Sequence, residues 1–128
     1  MRKSIYILLL LTLTGCYRDS SFSKDNPKIE FADVSEIRLD KYCAPTDTCY
    51  PPFYLLKDKK LIEGCVREIN EARLDGPRKG AGWDEISIIC KIDTIVLRSG
   101  GGYLGFKNSG TFYKLESKDF YKKYWGIN

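Results

Sequence analysis

The cysteines are the residues of this chain with the most obvious capacity for chemistry. The 128 residues include five cysteines and no histidine. Cys43, Cys49, Cys65 and Cys90 are separated by five, fifteen and twenty-four residues. Zinc sites of four cysteines normally contain a close Cys-x-x-Cys pair, and a catalytic thiol normally has a histidine base. We therefore predict no metal, no cofactor and no catalytic residues, although a zinc site or a reactive thiol remains an alternative.

Cys16 stands apart because it follows the features of an export signal. Arg2 and Lys3 place positive charge near the N-terminus, and an apolar run extends over residues 5–13. This run is shorter than the roughly 20 residues that a membrane-spanning helix needs. The pattern predicts a secretory signal that is removed from the mature protein.

The signal ends in Leu13-Thr14-Gly15-Cys16, which resembles the lipobox of bacterial lipoproteins at every position. The resemblance covers the first sixteen residues. It implies that residues 1–15 are removed and that Cys16 carries a diacylglycerol on its sulfur and an N-acyl chain. Such chains give a stable hold on a bilayer when two or more are present. Tyr17 follows the cysteine, and in this class that implies a periplasm-facing anchor in the outer membrane, with the inner membrane as the alternative.

Processing changes the charge of the chain. Removal of residues 1–15, which include Arg2 and Lys3, leaves 113 residues with 19 basic and 17 acidic side chains, a net charge of +2. No dense basic stripe is present, so we predict no nucleic-acid partner. Residues 16–28 are polar and are predicted to be a lipidated terminus and tether. Residues 29–128 are then a single periplasmic domain.

The four remaining cysteines lead us to predict two disulfides, because exported proteins meet an oxidising compartment. Spacing alone leaves three pairings open. Apolar residues recur at helical spacing from Asp58 to Leu74, with Cys65 in the apolar stripe. Alternation from Ile86 onward predicts a strand with Cys90 on its more apolar face. We therefore favour Cys65–Cys90, which leaves Cys43–Cys49.

The other elements are shorter. Residues 29–41 predict a strand or two strands around a bulge, and residues 53–57 predict another strand. Residues 103–107 and 111–115 predict a hairpin. A short helix is expected at residues 118–125, begun by Ser117 and ended by Gly126. The predicted fold is α+β: a small antiparallel sheet packed by one main helix, with two disulfides and a short C-terminal helix.

Two segments are candidate binding surfaces. The predicted loop 75–85 carries Arg78, Lys79 and Trp83 on a glycine-rich backbone, and loops of this composition are good contact surfaces. The competing interpretation is that Trp83 covers the core and the cations are solvated. In the C-terminal helix, Tyr121 and Trp125 are either core residues or part of a protein-binding or membrane-interface patch.

These features favour a membrane-tethered periplasmic module that binds another protein without catalysis, of the inhibitor, immunity or assembly and secretion accessory type. The alternative is a structural lipoprotein that contacts the cell wall or lipid. An enzyme is the third hypothesis, and a pocket with convergent polar side chains would favour it.

Overall fold

A computed structural model describes residues 20–43, 53–78 and 82–127 of the chain. Within these residues the helices are α1, α2 and α3, at Phe22–Asp25, Lys59–Glu71 and Phe120–Trp125, with a 3₁₀ turn at Phe31–Asp33. The strands are β1 Val34–Asp40, β2 Phe53–Leu56, β3 Arg73–Pro77, β4 Asp84–Cys90, β5 Thr94–Ser99, β6 Tyr103–Phe106 and β7 Thr111–Lys114.

The described strands form one antiparallel sheet of seven strands in the order β2-β1-β4-β5-β6-β7-β3. One face of the sheet carries the register pairs Ile37–Ile88 and Ile86–Leu97, and all four side chains are fully buried. The helices pack on this face, which we call the inner face. The opposite side of the sheet, which carries Arg38 and its register partners, is the outer face. A half-covered antiparallel sheet explains the alternation of apolar and polar residues along the strands.

The main helix α2 begins where the sequence predicts. The Asp58 side chain accepts a hydrogen bond from the Leu61 backbone N–H at 3.0 Å, which confirms the predicted N-cap. The helix ends at Glu71, three residues before the predicted end at Leu74. Residues 73–77 instead form β3, which pairs with β7 through a bulge between Leu74 and Gly76. The sheet is therefore larger than the small sheet predicted, because cross-strand pairing overrides the local helical pattern.

The prediction of two disulfides is wrong. Cys65 and Cys90 are free thiols. Both thiols lie between the helices and the inner face of the sheet, but they have different neighbours. Cys65 lies beside Glu68, whereas Cys90, at the end of β4, lies beside Asp33 and Asp93. A shared face does not bring two Cα atoms within the roughly 7 Å that a disulfide requires. Cys43 is not one of the free thiols, and its predicted partner Cys49 lies outside the described residues.

Residues 20–28, which the sequence assigns to the tether, pack on the domain. Phe22 is 0% exposed and its ring stacks on Phe106 at 5.3 Å between centroids. It meets the Tyr113 ring edge-on at 5.4 Å. Ile29 is also buried, and its backbone N–H and C=O both bond to the Asn70 amide. Residues 20–28 therefore belong to the folded domain rather than to a tether.

The C-terminal helix α3 ends at Gly126, whose φ of 69° is left-handed, as predicted for a glycine at this position. Ser117 is not its cap, since Asp119 holds that position and makes no side-chain cap bond. The Ser117 backbone N–H instead donates to Glu68 Oε1 at 3.2 Å. The C-terminal segment is thus tied to α2 rather than only to its own first turn.

Candidate functional site

Apolar side chains are exposed at the β2 edge of the outer face. Phe53 and Leu55 are 52% and 43% exposed, and they point to the same side because they are two residues apart on one strand. Arg38 is the register partner of Leu55, and its guanidinium carbon lies 4.1 Å from the centroid of the Phe53 ring. We call Phe53, Leu55, Arg38 and Asp40 the β2 patch.

Arg38 is held in place by a carboxylate. Its Nη2 lies 3.0 Å from Asp40 Oδ1, and its Nε donates to the same carboxylate. A guanidinium fixed by a fork of this kind loses little further freedom when it contacts a partner. The β2 patch therefore combines an exposed ring, an exposed aliphatic side chain and a preoriented cation, which is the composition of contact surfaces in protein interfaces.

Two residues of the predicted loop lie on the outer face at the other side of the sheet. The Arg78 guanidinium carbon lies 3.4 Å from the centroid of Tyr103, and its Nη2 lies 2.9 Å from Asp75. Trp83 stacks on Phe112 with 4.8 Å between centroids. Lys79 lies outside the described residues. Arg78 and Trp83 are thus engaged within the domain.

The Trp83 indole covers a second apolar cluster rather than the main core. Phe112 points to the outer face and is almost fully buried. Glycine is required nearby because a Cβ on Gly100 would lie 2.6 Å from the Trp83 ring. A Cβ on Gly105 would lie 2.4 Å from the Thr111 carbonyl oxygen. The glycine-rich segments after β5 and within β6 therefore make room for the indole and for the close approach of β7.

Tyr121 of α3 is buried in a polar cluster on the inner face. Its hydroxyl donates to Asp84 Oδ2 at 2.7 Å and accepts from the Gly101 backbone N–H at 3.2 Å. Asp84 also receives hydrogen bonds from Lys41 Nζ and the Tyr42 backbone N–H. Burial, and then the hydrogen bond to Asp84, raise the pKa of Tyr121. This tyrosine is a structural donor and is not displayed to a partner.

The second buried carboxylate is Glu68 on α2. It accepts from Ser117 N–H, Lys123 Nζ and the Tyr124 hydroxyl. Burial raises the pKa of Glu68, but the hydrogen bonds and the charge of Lys123 together outweigh it, so the pKa is lowered overall. The same arrangement raises the pKa of Tyr124, with burial as the larger cause and Glu68 as the second. The Glu68 carboxylate, ion-paired with Lys123 and hydrogen-bonded to Tyr124, therefore links α2 to α3.

Trp125 is half-buried at the end of α3. Its Nε1 donates to the Ile37 carbonyl oxygen at 3.4 Å, and its ring meets Phe120 edge-on at 5.7 Å. Tyr121 and Trp125 thus belong to the inner face, whereas Arg78 and Trp83 belong to the outer face. The structure does not bring the predicted binding residues into one site.

The free thiols are not activated. Burial raises the pKa of the Cys65 thiol, and the nearby Glu68 charge raises it further. Burial, with Asp93 and Asp33, raises the pKa of Cys90. Thiolate is the reactive form of cysteine, so both environments favour the unreactive form.

The described part of the chain contains no group of three or more Cys, Asp or Glu arranged to hold a metal ion. In residues 20–43, 53–78 and 82–127, no helix has the length and apolar character to cross a bilayer. The lipid attachment predicted at Cys16 lies outside these ranges.

Comparison with protein-family models, with curated proteins and with solved structures gives no match. No family is assigned.

The β2 patch is the candidate that the sequence did not single out. The segment 53–57, which follows Pro51-Pro52, predicts a strand but not which of its faces is buried. Arg38 and Phe53 are 15 positions apart, and only the pairing of β1 with β2 brings them together. Apolar residues on an edge strand were the available signal, and they are equally typical of core residues.

Proposed function

We propose that this chain is a lipid-anchored protein of the bacterial envelope that binds another envelope protein and performs no catalysis. The lipobox at Leu13-Thr14-Gly15-Cys16 supports the anchor. The observation that carries the binding role is the β2 patch, where Phe53 and Leu55 lie half exposed beside a fixed arginine. Because about half of each side chain is already buried, a partner that covers the rest gains about half of the 1.5–3 kcal/mol that full burial gives, or roughly 1–1.5 kcal/mol for each residue.

The polar groups of the inner face support the non-catalytic part of the proposal. The carboxylates of Asp84 and Glu68 each accept several hydrogen bonds from within the domain. A general base must be free to take a proton from a substrate. These carboxylates serve the packing of α3 instead, so they contribute stability rather than reactivity.

Site-specific photo-crosslinking in living cells tests the binding role. Phe53 is replaced by the photo-reactive amino acid p-benzoylphenylalanine in the full-length chain. Phe31 is the matched control, because it is also a phenylalanine and is 42% exposed, but it lies on the 3₁₀ turn. We expect position 53, and not position 31, to capture one defined envelope protein.

A second variant checks specificity. Leu55→Asp places a charge in the β2 patch without changing a buried residue, and it should abolish the crosslink from position 53. Equal capture from positions 53 and 31, or no protein captured at 53, contradicts the binding role. Capture of cell-wall fragments or lipid alone favours a structural envelope lipoprotein.

The anchor is tested separately by intact-mass analysis of protein purified from membranes. We expect a chain that begins at Cys16 and carries the mass of a diacylglycerol and an acyl group. An unmodified Cys16, or retention of residues 1–15, contradicts the anchor.

A further inference from the structure

The place where the folded domain begins limits how the anchored protein can sit on a membrane. The Ser20 carbonyl oxygen accepts a hydrogen bond from Leu74 N–H at 3.0 Å. Ser21 forms an isolated antiparallel bridge with Arg73. The Phe22 backbone N–H donates to the Ala72 carbonyl oxygen at 2.8 Å. Residues 20–22 are therefore fixed along the free edge of strand β3.

The covalent distance from this point to Cys16 is short. A chain extends at most about 3.3–3.6 Å per residue, so the four residues from Cys16 to Ser20 reach about 14 Å. A polar tether of twelve residues, as the sequence indicates, would reach about 40 Å. The packing of residues 20–28 removes that freedom.

We infer that the lipid on Cys16 holds the domain with the β3 edge against the lipid headgroups and the β2 edge pointing away from the membrane. This inference rests on the proposed anchor. β2 is six strand positions from β3 in the sheet, and neighbouring strands are about 4.8 Å apart. The two edges are thus separated by about 29 Å along the sheet. The β2 patch is then presented to proteins of the periplasm.

The β3 edge has chemistry that suits a headgroup layer. Arg73 and Lys114 are register partners and point to the same side of the sheet. Like charges in this arrangement repel each other. Within the described residues, no carboxylate is paired with either cation. Lipid phosphate groups would relieve the repulsion, since phosphate is a preferred partner of both side chains.

The same edge also carries acidic residues. Glu71 and Glu116 line a groove of about 560 Å³ together with Arg73 and Lys114. The groove has no net charge from these four side chains, so attraction to anionic lipid does not by itself choose the orientation. The short covalent connection instead keeps the start of the domain, beside β3, within about 14 Å of Cys16, where Arg73 and Lys114 are close enough to the bilayer to contact phosphate.

Paramagnetic relaxation by a headgroup label tests the orientation. The ¹⁵N-labelled, lipidated chain is placed in nanodiscs of phosphatidylethanolamine and phosphatidylglycerol that contain a gadolinium-chelating lipid. The enhancement falls steeply with distance from the bilayer surface. We expect it to be several-fold larger at the amides of Arg73 and Lys114 than at those of Tyr54 and Leu55.

Two control chains isolate the cause. A long Gly-Ser insertion between Asp19 and Ser20 should remove the difference between the edges while the lipid remains. A Cys16→Ser chain should show no enhancement at either edge. A β3-edge enhancement in that unlipidated chain would overturn the role given to the anchor.

The outcomes separate this inference from the proposed function. If mass analysis finds Cys16 modified and the wild-type chain relaxes equally at both edges, or more at β2, the orientation is wrong and the anchor stands. If Cys16 is unmodified, both are wrong. A protein captured at position 53 remains meaningful in either case.

Discussion

Replacement of Phe22 by alanine tests whether the N-terminal segment is part of the fold. Phe22 is fully buried and contacts the rings of Phe106 and Tyr113. Removing its side chain loses about 1.5–3 kcal/mol of apolar burial. Each ring contact adds about 0.5–1.5 kcal/mol. Together with the cavity that remains, we expect Phe22→Ala to cost about 3–5 kcal/mol of unfolding free energy.

The assay is urea unfolding of the mature chain with Cys16→Ser, followed by circular dichroism. A loss of this size lowers the urea midpoint by more than about 1 M, because the slope is about 1–3 kcal/mol per molar urea. Phe31→Ala is the matched control, since this phenylalanine is 42% exposed, and we expect it to cost less than about 1 kcal/mol. If Phe22→Ala costs no more than the control, residues 20–28 are a tether and the orientation inferred for the membrane loses its basis. If the alanine variant does not fold, the same measurement is made on Phe22→Leu.

Further predictions concern the two faces and the thiols. Tyr124→Phe removes a donor to Glu68 and should cost about 1–3 kcal/mol at neutral pH. Because the folded pKa of Glu68 is lowered, its contribution is present above the unfolded pKa of about 4.3 and is lost as the pH falls through the folded value. The difference between wild type and variant in urea unfolding should therefore shrink in acid, and a constant difference would contradict the carboxylate contact. Gly100→Ala should displace the stacked indole and shift its fluorescence, whereas Gly102→Ala, which has open space around its Cβ, should not. Equal spectra for the two variants would count against the stacking. Thiol titration of the unreduced, denatured Cys16→Ser chain should detect the free thiols of Cys65 and Cys90. A result of no free thiol would contradict the unbridged state of these two cysteines.

The local elements are largely readable from the sequence. The alternation at Ile86, Ile88 and Cys90 predicts a strand, Asp58 predicts a helix start and Gly126 predicts a helix end, and each is present. These signals depend on neighbours within a few positions, namely side-chain period, a capping oxygen and a glycine free to adopt positive φ. Pairing information is not local. β3 was therefore predicted as the end of a helix and the start of a loop, because it is held by β7 more than thirty positions away.

The candidate site shows the same division. The apolar character of Phe53 and Leu55 is visible in the sequence, but their exposure depends on β2 lying at the edge of the sheet and on which of its faces the helices cover. Trp83 was predicted either to bind a partner or to cover the core, and the structure places it over Phe112 on the other face. An aromatic side chain is favourable in each of these environments, so residue type alone could not decide between them.

The sequence by itself determined the short-range features of this protein: the lipobox pattern, the strand and helix periods, and the residues that begin and end the helices. Only the tertiary structure decided which distant groups meet. It keeps Cys65 and Cys90 unbridged, closes β3 onto β7 and buries Phe22 between two rings. The physical reason is that side-chain period specifies a direction from the backbone, whereas a disulfide, a sheet edge or a ring contact requires a distance, and that distance is set by the packing of the whole chain.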